Sequence, residues 1–245
     1  MPVKYRLFAN GLIPSLRNLT FLLILIIPEI HISAQDKSEG TEMPYGFDPF
    51  LYNGRYYTYK IPGNAKGNPF LSGAEYQKGS VTLMDKIYQD LELNYDVLNQ
   101  ALLMKYNNPD GSTLVIEIPE SWLDRFTIGA SEFELNRRTD ARPAICQVIH
   151  SGPVKIQYFW SKDTKLDNTL GSPVYVYSRP KRDQILQIKL KRFKYKNNRE
   201  FINAFDPSIR INIRNYIRNK KINVRKASDP VISGLVGFCN SQINP

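Results

Sequence analysis

GSVTLMDKIYQDLELNYDVLNQALLMKY, residues 79–106, decides how this chain folds. Between residues 87 and 95, apolar Ile87, Leu91, Leu93 and Tyr95 alternate with Tyr88, Asp90, Glu92 and Asn94. A helix would need its apolar residues at i, i+3 and i+4; a period of two predicts a strand. Val81 and Leu83 belong to a preceding strand, closed by a polar turn at Asp85-Lys86, and Asp96 to Asn99 supplies the next reversal. Ala101 to Tyr106 is then a third strand. Asn107-Asn108-Pro109-Asp110-Gly111 follows, and its Asn, Asp and Gly tolerate positive φ while Pro presets its own. Thr113 to Ile118 is a fourth strand, ended by Pro119, so the stretch predicts an antiparallel meander.

The same signals extend outward on both sides. Upstream, Asn53-Gly54 is the strongest short hairpin signal, and residues 61–73, with three glycines and two prolines, predict a wrapping loop. Downstream, Phe126, Ile128, Phe133 and Leu135 alternate around a turn at Gly129-Ala130. The polar run Asn136 to Pro143 is the candidate boundary between a first β half, residues 45–135, and a second, residues 143–196. That second half holds strands at 145–149, 154–160, 174–177 and 185–195, with a loop over 161–173. In the last of these, Ile188, Leu190, Phe193 and Tyr195 are set against Lys189, Lys191 and Lys194, which predicts a basic face at a sheet surface or edge. From residue 197 to 245 the period becomes helical. Asp206-Pro207 and Asp229-Pro230 read as N-caps followed by Pro at N1. Ile209, Ile213, Tyr216 and Ile217 share one helix face, and Ile232, Leu235, Val236 and Cys239 another. The expected fold is mainly β, a meander forming a sandwich or small open barrel, with two or three C-terminal helices packed on it.

The first 34 residues have a different character. Lys4, Arg6 and Arg17 precede the apolar run FLLILIIP at 21–28, and Ala34 stands at a cleavage position. This is the pattern of a signal peptide, too short in its apolar core to span a bilayer; an uncleaved anchor is the alternative. Residues 35–44 are polar and acidic and predict a flexible leader. Removing residues 1–34 takes away three basic groups and Glu29, leaving 30 of the 33 Lys and Arg against 22 of the 23 Asp and Glu. The excess is concentrated: residues 179–226 hold 16 Lys or Arg against Asp183, Glu200 and Asp206. Such asymmetry points to an anionic partner, and export removes nucleic acid from the choices. Cys146 and Cys239 are the only cysteines. Two alternatives stand: a disulfide across a long loop, worth roughly 3–5 kcal/mol, or two buried free thiols.

Residues able to carry chemistry are few. His150 is the sole histidine after residue 34, with no nucleophile motif near it, and Cys146 with His150 lacks further metal-ligand spacing. Glu132 with Glu134, and Asp90 with Glu92, are carboxylate pairs at i, i+2, better explained as solvated strand faces than as a glycosidase pair. Tyr56, Tyr57 and Tyr59 could stack on sugars but are also good strand residues. No catalytic, cofactor or metal residue is assigned. The candidate partner-binding residues are Arg210, Arg214, Arg218 and Lys221 of the helical segment and Lys189, Lys191 and Lys194 of the basic strand.

Tyr52-Asn53-Gly54, Gly67-Asn68-Pro69-Phe70, Gly79-Ser80-Val81 and Leu93-Asn94-Tyr95-Asp96, with the later Asn219-Lys220-Lys221-Ile222, resemble a family of secreted proteins of Bacteroidota. Asn68 stands where that family often has His, and Asp85-Lys86 where it often has an Asp-Gly turn. The resemblance implies export and this fold outline and brings no site residues. The leading expectation is a non-enzymatic exported protein of the periplasm or outer membrane, acting on an envelope protein or an anionic membrane surface. The alternative is a small-ligand protein holding a lipid or glycan in the β scaffold.

Overall fold

The structure is a computed structural model that describes residues 54–107, 111–137, 143–168, 171 and 173–243. The predicted signal peptide and leader, Asn53, residues 108–110 of the Asn-Pro turn and residues 138–142 of the predicted boundary lie outside the described residues.

The meander is present. β1 (Arg55–Tyr56), β2 (Gln77–Leu83), β3 (Lys86–Asp96), β4 (Ala101–Asn107), β5 (Thr113–Glu117), β6 (Leu123–Ile128) and β7 (Ser131–Asn136) are followed by β8 (Ala144–Ile149) and β9 (Val154–Ser161). Then come β10 (Thr164–Asp167), β11 (Val174–Tyr177), β12 (Lys181–Ile188) and β13 (Lys191–Lys194). All but β10 and β11 form one open antiparallel sheet in the order β1-β5-β4-β3-β2-β6-β7-β8-β9-β12-β13. β10 and β11 pair separately as a hairpin, so part of the loop expected over 161–173 is strand.

Local chemistry sets the reversals. Leu83 pairs with Lys86 across Met84 and Asp85, which both have positive φ (49° and 67°). That is a two-residue turn of the kind whose twist matches a hairpin, one residue earlier than the polar pair suggested. The second difference is larger. Residues 185–195 are two strands, because Ile188 pairs with Lys191 and the chain reverses through Lys189 (φ 54°) and Leu190. This turn contains no Gly, Asn, Asp or Pro, so the alternating pattern ran through it without interruption. β13 is the sheet's edge, and its lysines guard it as edge strands commonly are guarded.

The sheet curls on itself. Val81, Leu91, Leu93, Tyr95, Leu102, Met104, Phe126, Phe133 and Ile145 come from six strands, yet pack into one buried cluster. Gln100, in the β3–β4 turn, donates to the Trp160 carbonyl of β9 at 3.0 Å. The predicted β halves therefore belong to one sheet, but the core changes partner within β8. Ile145 joins the first cluster; Ile149 joins a second, with Val154, Ile156, Tyr158 and Leu186.

Three helices cover that second cluster. α1 (Asn198–Asn203) is capped by Asn197, which accepts from the Glu200 amide at 2.9 Å, while Glu200 accepts from the Lys196 amide. α2 (Pro207–Asn219) starts as predicted on Asp206 with Pro at N1, and buries Ile213 and Ile217. α3 (Asp229–Ile243) buries Ile232, Leu235, Val236 and Cys239. Its Asn240 side chain closes both backbone groups of Val154. The Asp229 carboxylate, expected as a cap, instead accepts from the Gln147 side chain at 2.8 Å.

Candidate surface-binding site

The β12–β13 hairpin, the α1–α2 connection and the end of α3 enclose a groove of about 600 Å³. Its walls are largely apolar, with Ile188 and Phe193 from the hairpin, Ala204 and Phe205 after α1, Ile209 from α2 and Ile243 from α3. Leu190 stands at the hairpin tip, 95% exposed, between Lys189 and Lys191, which are also exposed and line the same groove. Asp206 borders it too, but its carboxylate accepts from the Ser208 amide at 3.0 Å and the Ser208 hydroxyl at 2.7 Å. Those two bonds hold it below the usual carboxylate range.

The seven predicted binding residues fall into different settings. Lys189 and Lys191 are at the groove, whereas Lys194 forms an exposed pair with Asp183 at 2.8 Å. Arg210 is structural: its guanidinium donates to the carbonyls of Phe205 (2.8 Å) and Asn203 (2.9 Å), fixing the turn that forms one groove wall. Arg214, Arg218 and Lys221 are exposed on later turns of α2 and just beyond it, with Arg218 also reaching Asn215 at 3.5 Å. From Arg214 to Lys221 the helical rise is about 10 Å. They therefore form a row leading away from the groove rather than one cluster with the lysines. Ile211, half-exposed at 52%, lies on the outward side of α2 among them.

The groove was not legible in the sequence, because it depends on the hidden turn at Lys189-Leu190. Asp206-Pro207 signalled a break between helices, but nothing marked what that break would face.

The other candidate residues are engaged in structure. Glu134 is held on the outer sheet face by Lys155 (2.7 and 3.0 Å) and Gln157 (2.5 Å), and Glu92 lies 3.7 Å from Lys105. Asp90, the partner of Glu92, sits at a positive φ of 56°, and its carbonyl accepts from Lys78. Tyr57 donates to Asp96 at 2.5 Å and Tyr59 bonds Tyr177 at 2.6 Å, so two of the three clustered tyrosines tie the segment after β1 to the ends of β3 and β11. His150 docks α3, with Nδ1 3.3 Å from the Ser233 hydroxyl and its ring against Gly237. Among the described residues no group of three His, Cys, Asp or Glu could hold a metal ion.

Cys146 and Cys239 are both free and buried, so the disulfide alternative is not realised. The reason is topological. Ile145 and Ile149 face the two core clusters, so Cys146 between them points to the opposite side, where it lies 3.9 Å from the Glu134 carboxylate. Cys239 packs within the helix-covered cluster. Burial pushes both thiols up to about 12.

No helix among the described residues is long and apolar enough to cross a membrane. A scan against protein-family models, a search of curated proteins and a search of solved structures each return no match. The likeness to secreted Bacteroidota proteins thus rests on the quoted residues alone.

Proposed function

We propose that this chain is a non-enzymatic exported protein of the cell envelope, periplasmic or associated with the outer membrane, that works by lying against an anionic membrane surface through its C-terminal basic layer. The observation that carries this reading is the distribution of charge over residues 179–226. Arg214, Arg218 and Lys221 form an exposed row, and Lys189 and Lys191 flank an exposed Leu190 on the neighbouring hairpin. Basic side chains beside exposed apolar ones suit a headgroup layer, where the charges meet phosphates and the apolar groups pass below them. The engagement of Glu134, Glu92 and His150 in structural contacts supports a role without catalysis.

The test is co-sedimentation with vesicles of anionic phosphatidylglycerol and of zwitterionic phosphatidylcholine at low and high salt. Binding to the anionic vesicles that weakens with salt, and is lost in Arg214→Gln/Arg218→Gln/Lys221→Gln, supports the reading. Equal recovery of native and substituted protein overturns it. Crosslinking of the native protein in intact envelopes to one defined polypeptide, lost in the same variant, would transfer the surface to a protein partner. Glycan or lipid binding is the second reading, and the apolar groove favours the lipid.

A further inference from the structure

We propose that the groove between the β12–β13 hairpin and the α1–α2 connection holds one acyl chain of an anionic amphiphile, with the acidic head between Lys189 and Lys191. It deepens the membrane-surface reading, on which it rests for the source of the amphiphile but not for the binding itself.

The groove's size and chemistry define the ligand. About 600 Å³ lies within the range of small-molecule sites, which are mostly apolar with a few placed polar groups. Ile188, Phe193, Phe205 and Ile209 offer contact to methylene groups and no hydrogen-bonding side chain, so a glycan would leave its hydroxyls unsatisfied there. The charged residues of its lining are Lys189 and Lys191, both exposed, and Asp206, whose carboxylate is already bonded to Ser208. An acid head on an apolar tail matches that order, while a neutral hydrocarbon would leave the lysines unused. Leu190 is a second, independent sign. It is 95% exposed at the tip of a two-residue turn whose neighbours are both lysines, yet it lines the groove. A chain lying in the groove would cover it from one side. Arg210 keeps the far wall in place through Phe205 and Asn203, so the groove is preformed and does not have to be assembled by the ligand.

Dodecyl phosphate, kept below its micelle concentration, is the probe, with the protein as recovered from the exporting cell and native mass spectrometry as the readout. One bound molecule per chain is expected. Ala204→Trp, which places an indole in the groove, should weaken binding by at least about tenfold. Leu190→Asp alters a side chain too exposed to affect folding and should weaken it as well, as should Lys189→Gln/Lys191→Gln. Circular dichroism checks that each variant is folded. Undiminished binding in folded Ala204→Trp, binding of several molecules per chain, or no binding overturns the groove. The same proteins on phosphatidylglycerol vesicles separate the two ideas. Vesicle adsorption that needs Arg214, Arg218 and Lys221 while dodecyl phosphate fails to bind overturns the groove and leaves the surface reading. Stoichiometric dodecyl phosphate without vesicle adsorption supports the groove, with a free amphiphile as its ligand.

Discussion

Tyr95 on β3 and Phe133 on β7 are three strands apart in the sheet, yet their ring centroids are 5.7 Å apart in an edge-to-face contact. In a flat sheet that separation would be about 14 Å. The contact therefore measures how far the sheet curls. Phe126, stacked on Phe133 at 4.7 Å and meeting Tyr95 at 6.1 Å, completes the wedge. Tyr95→Ala should remove the ring that holds the curl and cost about 3–5 kcal/mol. Tyr95→Phe, which loses only the hydrogen bond to Gln100, should cost about 1 kcal/mol. Urea unfolding of the two variants separates packing from polarity. Similar costs would mean that the hydroxyl, not the ring, holds the closure.

Gly79 marks the other requirement of the curl. β2 is irregular between Gly79 and Val81, and a Cβ at Gly79 would lie 2.0 Å from the Thr127 carbonyl oxygen of β6. That oxygen is backbone and cannot rotate away. Gly79→Ala should cost about 1–3 kcal/mol by overpacking. It should also weaken amide-exchange protection of the β2–β6 pair before that of β8–β9.

Much of this fold could be read from period and turn chemistry. Period two located β2 to β9, and Asp206-Pro207 located α2, because each signal acts within a few residues. What could not be read were features decided by tertiary contact. Lys189-Leu190 turns the chain without a turn residue, since pairing of β12 with β13 compensates a lysine at positive φ. The curl that brings Tyr95 to Phe133 leaves no local trace. The division of the basic residues depends on geometry that spacing alone does not give: Arg210 folds back on the carbonyls of the α1–α2 connection, and Lys194 reaches Asp183 across a strand pair.

The buried thiols give a pH dependence. Cys146 and Cys239 are raised from 9.0 to about 12, and Tyr76 and Tyr158 from 10.0 to about 12, chiefly by desolvation. Each group holds its proton more tightly folded than unfolded. Its stabilising contribution is complete below the unfolded value and disappears as pH rises towards the folded one. Stability should thus be level to about pH 9 and fall between 9 and 12. The guanidinium midpoint at pH 7, 9 and 10.5 measures this. In parallel, a thiol reagent at pH 8 should label neither cysteine in the native protein and both after denaturation. Rapid native labelling of Cys146 would contradict its burial.

The proposed export would leave a defined new N-terminus. If residues 1–34 are a cleaved signal peptide, sequencing of the protein from the envelope fraction should begin at Gln35. A chain beginning at Met1 would favour the uncleaved anchor.

The seam between sheet and helices is the last place where a single change is decisive. Trp160 donates to Gln147 at 2.9 Å, Gln147 donates to Asp229 at 2.8 Å, and Asp229 lies 3.6 Å from Arg182. The guanidinium returns over the rings of Tyr158 (4.3 Å) and Trp160 (5.8 Å). One circuit thereby joins β8, β9 and β12 to the first turn of α3, where the negative charge of Asp229 also suits the helix dipole. Arg182→Met keeps the packing stem but removes the charge, and should cost about 1–3 kcal/mol. Because Asp229 is 41% exposed, its direct coupling to Arg182 should be small, about 0.5–1 kcal/mol in a double-mutant cycle with Asp229→Asn. Most of the loss would then come from the ring contacts and from the hydrogen bond that Arg182 donates to the Arg225 carbonyl (3.2 Å), and Trp160 fluorescence should shift in Arg182→Met but hardly in Asp229→Asn. A coupling above about 2 kcal/mol would instead make the ion pair the main fastening of α3 to the sheet.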